Sequence, residues 1–285
     1  MSAPAHWTCP TCAIEVTTPF CPQCGESPLR PPDLTLRGIA AKVLHAATSI
    51  DGRLLRTVWC LLCHPGQLTV AHLKGQRMPY VAPFQLFLIA NAFFFAMQSL
   101  TDTQIFGSTM ESHLNHQDWS PLATTLVAER VAMLHTDLAQ YTPEFNRAAV
   151  LNAKSLIILM VVPFALLLSV TFAFVRKQKR KPFVAYVYFS LHLYAFLLLL
   201  FSLALMIAAI NVHAGGAGLA SPAVDKVLSL INLSVCGIYA YLALGPVFDS
   251  HGLARFVRAT ALTIGAAFIV LGYRFVIFLI TLYLT

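Results

Sequence analysis

Long apolar runs free of charge alternate along this chain with short basic segments. Five runs reach the roughly 20 apolar residues that a helix needs to cross a hydrocarbon core about 30 Å thick. They cover residues 81–100, 155–175, 183–210, 227–247 and 259–283, and only the last holds a charged residue, Arg274. The pattern predicts an all-α polytopic membrane protein with about five transmembrane helices spread over residues 81–285. Ahead of them, residues 29–80 form a linker in which Leu36, Ile39, Ala40, Val43 and Leu44 recur at helical spacing, with Arg37, Lys42 and His45 elsewhere. Such a stretch is too polar to cross and suits a helix lying in the headgroup plane; a soluble helical hairpin is the alternative. Asp51-Gly52 and Pro65-Gly66 mark breaks in it. Residues 101–154 read as an outer loop, with Leu122, Leu126, Val131, Leu134 and Leu138 at helical spacing and Pro121 and Pro143 as punctuation. One or two short helices are expected there, resting on the outer surface.

Composition supports the bilayer reading. Hydrophobic residues make up 58% and charged residues 11%, against roughly 25% charged in soluble domains, and the mean hydropathy is +0.71. No secretory signal peptide is expected, because a Cys- and Pro-rich head precedes the first apolar run. Basic loops tend to stay cytoplasmic. With the N-terminus inside, residues 1–80, 176–181 and 249–258 hold fourteen of the nineteen Lys and Arg residues. Five crossings then put the C-terminus outside, and the expected location is a bacterial inner membrane with a periplasmic C-terminus. The pI of about 9.1 is read as topology and contact with anionic lipid, so no nucleic-acid partner is expected.

The head contains Cys9-Pro-Thr-Cys12 and, eight residues later, Cys21-Pro-Gln-Cys24-Gly25. Two such pairs on tight turns suit a tetrahedral zinc site, each knuckle setting two thiolates on one side of a turn. The expectation is a zinc ribbon over residues 1–28, with Cys9, Cys12, Cys21 and Cys24 holding a structural Zn2+. Disulfides are disfavoured on the reducing cytoplasmic side, and a redox dithiol needs only one pair. Four thiolates close the coordination sphere, so docking or spacing is favoured over catalysis. Pro28, Pro31 and Pro32 follow as a stiff linker. A second motif, Cys60-Leu-Leu-Cys63-His64, matches the string for covalent haem attachment. That attachment occurs on the outer side of bacterial membranes, whereas this segment is expected inside and is flanked by Leu54, Leu55, Val58 and Trp59, so buried or interfacial thiols are the expectation.

Several short motifs resemble an uncharacterised bacterial membrane-protein family, catalogued as a domain of unknown function. They are His64-Pro65-Gly66, Gly75-Gln76-Arg77 with Tyr80, Pro83-Phe84-Gln85-Leu86-Phe87 and Asn91-Ala92-Phe93-Phe94-Phe95. The likeness continues through Lys154-Ser155-Leu156, Pro163-Phe164-Ala165-Leu166 and Phe189 to Phe196, and weakens after about residue 200. It implies the same architecture, an N-terminal zinc ribbon before the spans, and no particular reaction. Cys60 and Cys63 depart from that family pattern.

Three functional classes compete on this inventory. An adaptor or regulatory scaffold, whose ribbon and basic inner face recruit a protein partner, fits best, and no enzyme activity is expected. A small-molecule or ion transporter acting as a homo-oligomer is the first alternative. It lacks a carboxylate within the spans and two matching halves. An enzyme acting on lipid at the interface is the second, and would require a convergent reactive set where only scattered pairs such as Asp249 with His251 occur. Within the spans, Arg274 is expected to snorkel or to pair with Asp225 or Glu144, and Pro163 to kink the second span. His192 is expected to be a hydrogen-bonded core residue, since no other span offers a second histidine at its depth. His113-x-x-His116 is expected to be solvated loop.

Overall fold

The structure, a computed structural model, describes residues 7–9, 14–19, 21–23, 52–74, 79–101, 105–173 and 181–285. The chain divides into two compact units, Met1–Leu55 and Arg56–Thr285. In the first, strands β1 (Trp7–Thr8) and β2 (Glu15–Val16) pair antiparallel with Trp7 opposite Val16. The Cys9 N–H closes the hairpin onto the Ile14 carbonyl at 2.9 Å.

The second unit is helical. A helix over residues 52–63 (α1) is followed by α2 (Gln67–Leu73), α3 (Pro83–Thr101), α4 (Met110–Asn115) and α5 (Ser120–Met133). Then come α6 (Leu138–Leu156), a 3-10 turn (Ile157–Met160), α7 (Val161–Thr171), α8 (Phe183–His213), α9 (Pro222–Phe248) and α10 (Gly252–Leu284). Among the described residues, five helices are long and apolar enough to cross a membrane: Pro83–Thr101, Leu138–Thr171, Phe183–His213, Ala223–Phe248 and Gly252–Leu284. This bears out the expected all-α, multi-pass architecture. The outward faces carry Leu88, Leu166, Val170, Leu203, Ile207, Leu230, Ile238 and Phe268, all exposed. A belt of that extent belongs against lipid tails, since soluble surfaces seldom show it.

α8 forms the centre of the unit. Its 31 residues give about 46 Å of helix at ~1.5 Å per residue, and α3, α7 and α9 all lie along it. Every residue from Phe189 to Leu198 is buried, so this stretch of the helix is covered all round.

One boundary differs from those the sequence pattern predicts. The segment before the second long apolar helix carries two short helices, α4 and α5, as expected, but its last part is continuous with that helix: α6 runs from Leu138 through Pro143 and joins it across the 3-10 turn. Its N-terminal part is amphipathic, with Tyr141, Phe145, Ala149 and Ala153 buried on one stripe while Glu144, Arg147 and Lys154 lie on the others. A criterion of charge-free runs cannot register such a stripe. Tyr141, Phe145 and Ala149 meet Met110, Ala123 and Val127 of α4 and α5 and Phe278 and Leu282 of α10 in one apolar cluster. The 3-10 turn itself falls one turn before Pro163, whose ring opposes the carbonyl four residues earlier, as the sequence leads one to expect.

The second feature lies in the linker, where α2 packs on α8 and α9 and buries Leu68, Thr69, Ala71 and His72. Gly66 makes that docking possible. It caps α2 with φ of 84°, and a Cβ there would stand 2.7 Å from the Ala243 carbonyl oxygen and 3.0 Å from Pro246 Cγ. Only glycine offers both the conformation and the close approach. The predicted helix over residues 33–50 lies outside the described residues.

Candidate functional site

Docking α2 against α8 places two imidazoles side by side in the interior. His72 and His192 are 7% and 2% exposed, and their ring centroids are 5.5 Å apart. The spacing of both helices accounts for the arrangement. Thr69 and His72, three apart on α2, share the face turned to α8, and Tyr188 and His192, four apart on α8, share the face that receives them.

Each ring is held through Nδ1. His72 Nδ1 lies 2.8 Å from the Leu68 carbonyl oxygen one turn back; a carbonyl only accepts, so Nδ1 carries the hydrogen and Nε2 a bare lone pair. His192 Nδ1 lies 2.8 Å from Thr69 Oγ1. Both Nε2 atoms are buried and form no hydrogen bond. Tyr80 and Tyr188 flank His72 with ring centroids at 6.2 and 6.1 Å. The Val81 N–H donates to Thr57 Oγ1 at 2.9 Å and ties the entry of α3 to α1.

His192 was expected to have no partner histidine at its depth, and the structure corrects this. The partner comes from α2, a segment too short to score as a span, which the fold inserts between α8 and α9. The available signal was local: Thr69 and His72 occupy the same helical face as Leu68, directly after a Pro-Gly turn.

Arg274 is held within the protein. Its guanidinium donates to Ser108 Oγ at 2.9 Å, a buried hydroxyl of the segment between α3 and α4, and Asp225, one of its expected partners, is near enough to attract its charge. His113 is no solvated loop residue: it is 2% exposed, stacks near Phe278 at 4.7 Å and accepts the Trp119 Nε1–H at 3.2 Å. Burial, with Arg274 beside it, lowers its pKa to about 4, so the ring is neutral with its hydrogen on Nε2. His116 is exposed, and the pair converges on nothing.

Of the four predicted zinc ligands, Cys9 and Cys21 are described. They are 1% and 2% exposed and meet in one small cluster with Val16, edged by Trp7 and Ile14. Cys12 and Cys24 lie outside the described residues. In the second motif, Cys60 is buried and Cys63 exposed. Burial pushes the Cys60 thiol up, against a lowering hydrogen bond from Tyr80. Asp249 and His251 pair at 2.8 Å on the surface. Among the described residues no three His, Cys, Asp or Glu side chains gather as a metal site.

The comparisons with known proteins fall on the same region. The profile of a family described as Protein of unknown function (DUF3667) is similar to residues 51–95, the stretch carrying α1, the Pro65-Gly66 turn, His72, Tyr80 and most of α3. No curated protein matches the chain. No solved structure matches it either.

Proposed function

We propose that the chain is a multi-pass protein of the bacterial inner membrane that serves as an adaptor or regulatory scaffold. In this reading Cys9, Cys12, Cys21 and Cys24 hold a structural zinc ion in a cytoplasmic ribbon, and the ribbon docks a protein partner. The observation that carries it is the pairing of β1 with β2, between which the first Cys-x-x-Cys motif falls in sequence, together with the burial of Cys9 and Cys21 beside Val16. A thiolate cage around one metal requires that convergence. So small a unit owes most of its folding free energy to the metal, which leaves its surface for recognition. The chain is proposed to catalyse no reaction, in keeping with the closed coordination of four thiolates.

Cross-linking in membranes followed by co-purification, with wild type beside Cys9→Ser/Cys12→Ser, tests this. One defined protein retained by the wild type and lost from the variant is the expected result. Identical partners with both would overturn it.

The alternative of a transporter working as an oligomer draws support from one feature, the His72 and His192 pair. Ionisable groups inside a bilayer commonly mark ion pathways.

A further inference from the structure

Three features of the imidazole pair point beyond a packing role. First, neutral buried histidines in a core ordinarily satisfy both ring nitrogens, yet these two adjoining rings each keep a buried Nε2 without a hydrogen bond. Second, both rings have Nδ1 fixed by an oxygen, the Leu68 carbonyl for one and Thr69 Oγ1 for the other. Metal-ligating histidines show this second layer of hydrogen bonds, which sets the tautomer and aims Nε2 at the ion. Third, the separation fits. Imidazoles binding one ion at ~2 Å through Nε2 have centroids about 5 Å apart when the angle at the metal is tetrahedral and about 6 Å when it is straight, and the observed 5.5 Å lies between.

The identity of the ion follows from what surrounds the pair. Among the described residues no third His, Cys, Asp or Glu joins it, and none of the acidic residues falls within the predicted spans. Zinc prefers four ligands, and magnesium or calcium requires several oxygens. The cost of burying an ion rises with the square of its charge, so an uncompensated divalent ion is disfavoured among apolar helices. Imidazole suits copper, and the cuprous ion is monovalent and accepts low coordination numbers. We propose that His72 and His192 bind one Cu(I) ion through their Nε2 atoms, with Thr69 as the positioning residue for His192. Binding needs no redox step and no net proton release: His192 takes the tautomer with hydrogen on Nδ1, donating to Thr69 Oγ1, and both lone pairs meet the metal. The inference stands apart from the zinc-ribbon reading.

The test uses the full chain in lipid nanodiscs, titrated with Cu(I) against a chromophoric Cu(I) chelator and then examined by copper X-ray absorption. Because ribbon thiolates also bind Cu(I), wild type is compared with Cys9→Ser/Cys12→Ser. Both are expected to retain one equivalent whose nearest scatterers are nitrogen. His72→Ala and His192→Ala should each lose that equivalent, and Thr69→Val should weaken its affinity about 10–100-fold. Sulfur-only coordination in the wild type, or the nitrogen-bound equivalent surviving in both histidine variants, would overturn the proposal. So would Zn(II) displacing Cu(I) from the site at equal concentration. The wild-type spectrum decides the matter even where a variant misfolds.

Discussion

The Arg255 guanidinium reaches from α10 to the Leu242 carbonyl of α9 at 2.8 Å, the carbonyl that Pro246 leaves without its helical donor. Proline has no N–H and crowds the carbonyl four residues before it, so a proline inside α9 exposes an acceptor that the membrane interior does not satisfy. Arg255 supplies the missing donor and also bonds the Tyr241 carbonyl through Nε. Its guanidinium lies over the Tyr241 ring, 4.2 Å from the centroid. Gly245 leaves it room, since a Cβ there would stand 2.9 Å from the guanidinium carbon. Replacing Arg255 with Met keeps the stem and removes the donors, and should cost about 1 kcal/mol in unfolding titrations in detergent. In a Pro246→Ala background the backbone donor returns, so the same replacement should cost measurably less. Equal costs in the two backgrounds would show that the arginine does not compensate for the proline.

Gly66→Ala should be among the most damaging changes to the membrane unit. The φ of 84° is strained for any residue with a Cβ, by about 1–3 kcal/mol, and the clash with Ala243 adds to it. The expected outcome is a lowered unfolding midpoint together with faster maleimide labelling of Cys60 as α2 lifts from α9. Unchanged labelling would mean that α2 docks without this turn.

The two cysteines of the haem-like string should behave differently in the native protein. Cys63 is exposed, whereas Cys60 is buried with its thiol pushed up. Thiolates are the reactive form, so maleimide at pH 7 should modify Cys63 well before Cys60. Comparable rates would contradict the packing of α1.

Acidification should loosen the layer formed by α4 and α5. His113 is held neutral by burial with a pKa of about 4, below its ordinary 6.5. Above pH 6.5 folded and unfolded forms are both neutral and this contribution to stability is complete. Between 6.5 and 4 only the unfolded form takes the proton, so stability falls as pH falls. Hydrogen exchange in α4 and α5 should therefore accelerate from pH 7 to pH 5, and His113→Gln should flatten that dependence.

Loss of a ribbon ligand should be local. Cys21→Ser is expected to lower bound zinc from about one equivalent to near none and to unfold the head, while the protein stays in the membrane fraction. Equal zinc in variant and wild type would remove the proposed metal site.

The sequence by itself determined the elements whose cause is local. Hydrocarbon thickness converts apolar length directly into crossings, so the runs at 81–100, 155–175, 183–210, 227–247 and 259–283 reappear as five long helices with shifted ends. Pro163 likewise announces the break before it, because a missing N–H acts within one turn. Tertiary structure decided whatever depends on which faces meet. His72 sits in a short segment whose burial is created by the α8 and α9 surfaces, and nothing in its own neighbourhood encodes the approach of His192 from 120 positions later. The N-terminal part of α6 becomes one piece with a span only because α4, α5 and α10 cover its apolar stripe. Charge-free length is a property of one segment, whereas partnership between imidazoles, or between Arg255 and a carbonyl freed by proline, is a property of two segments brought together by packing.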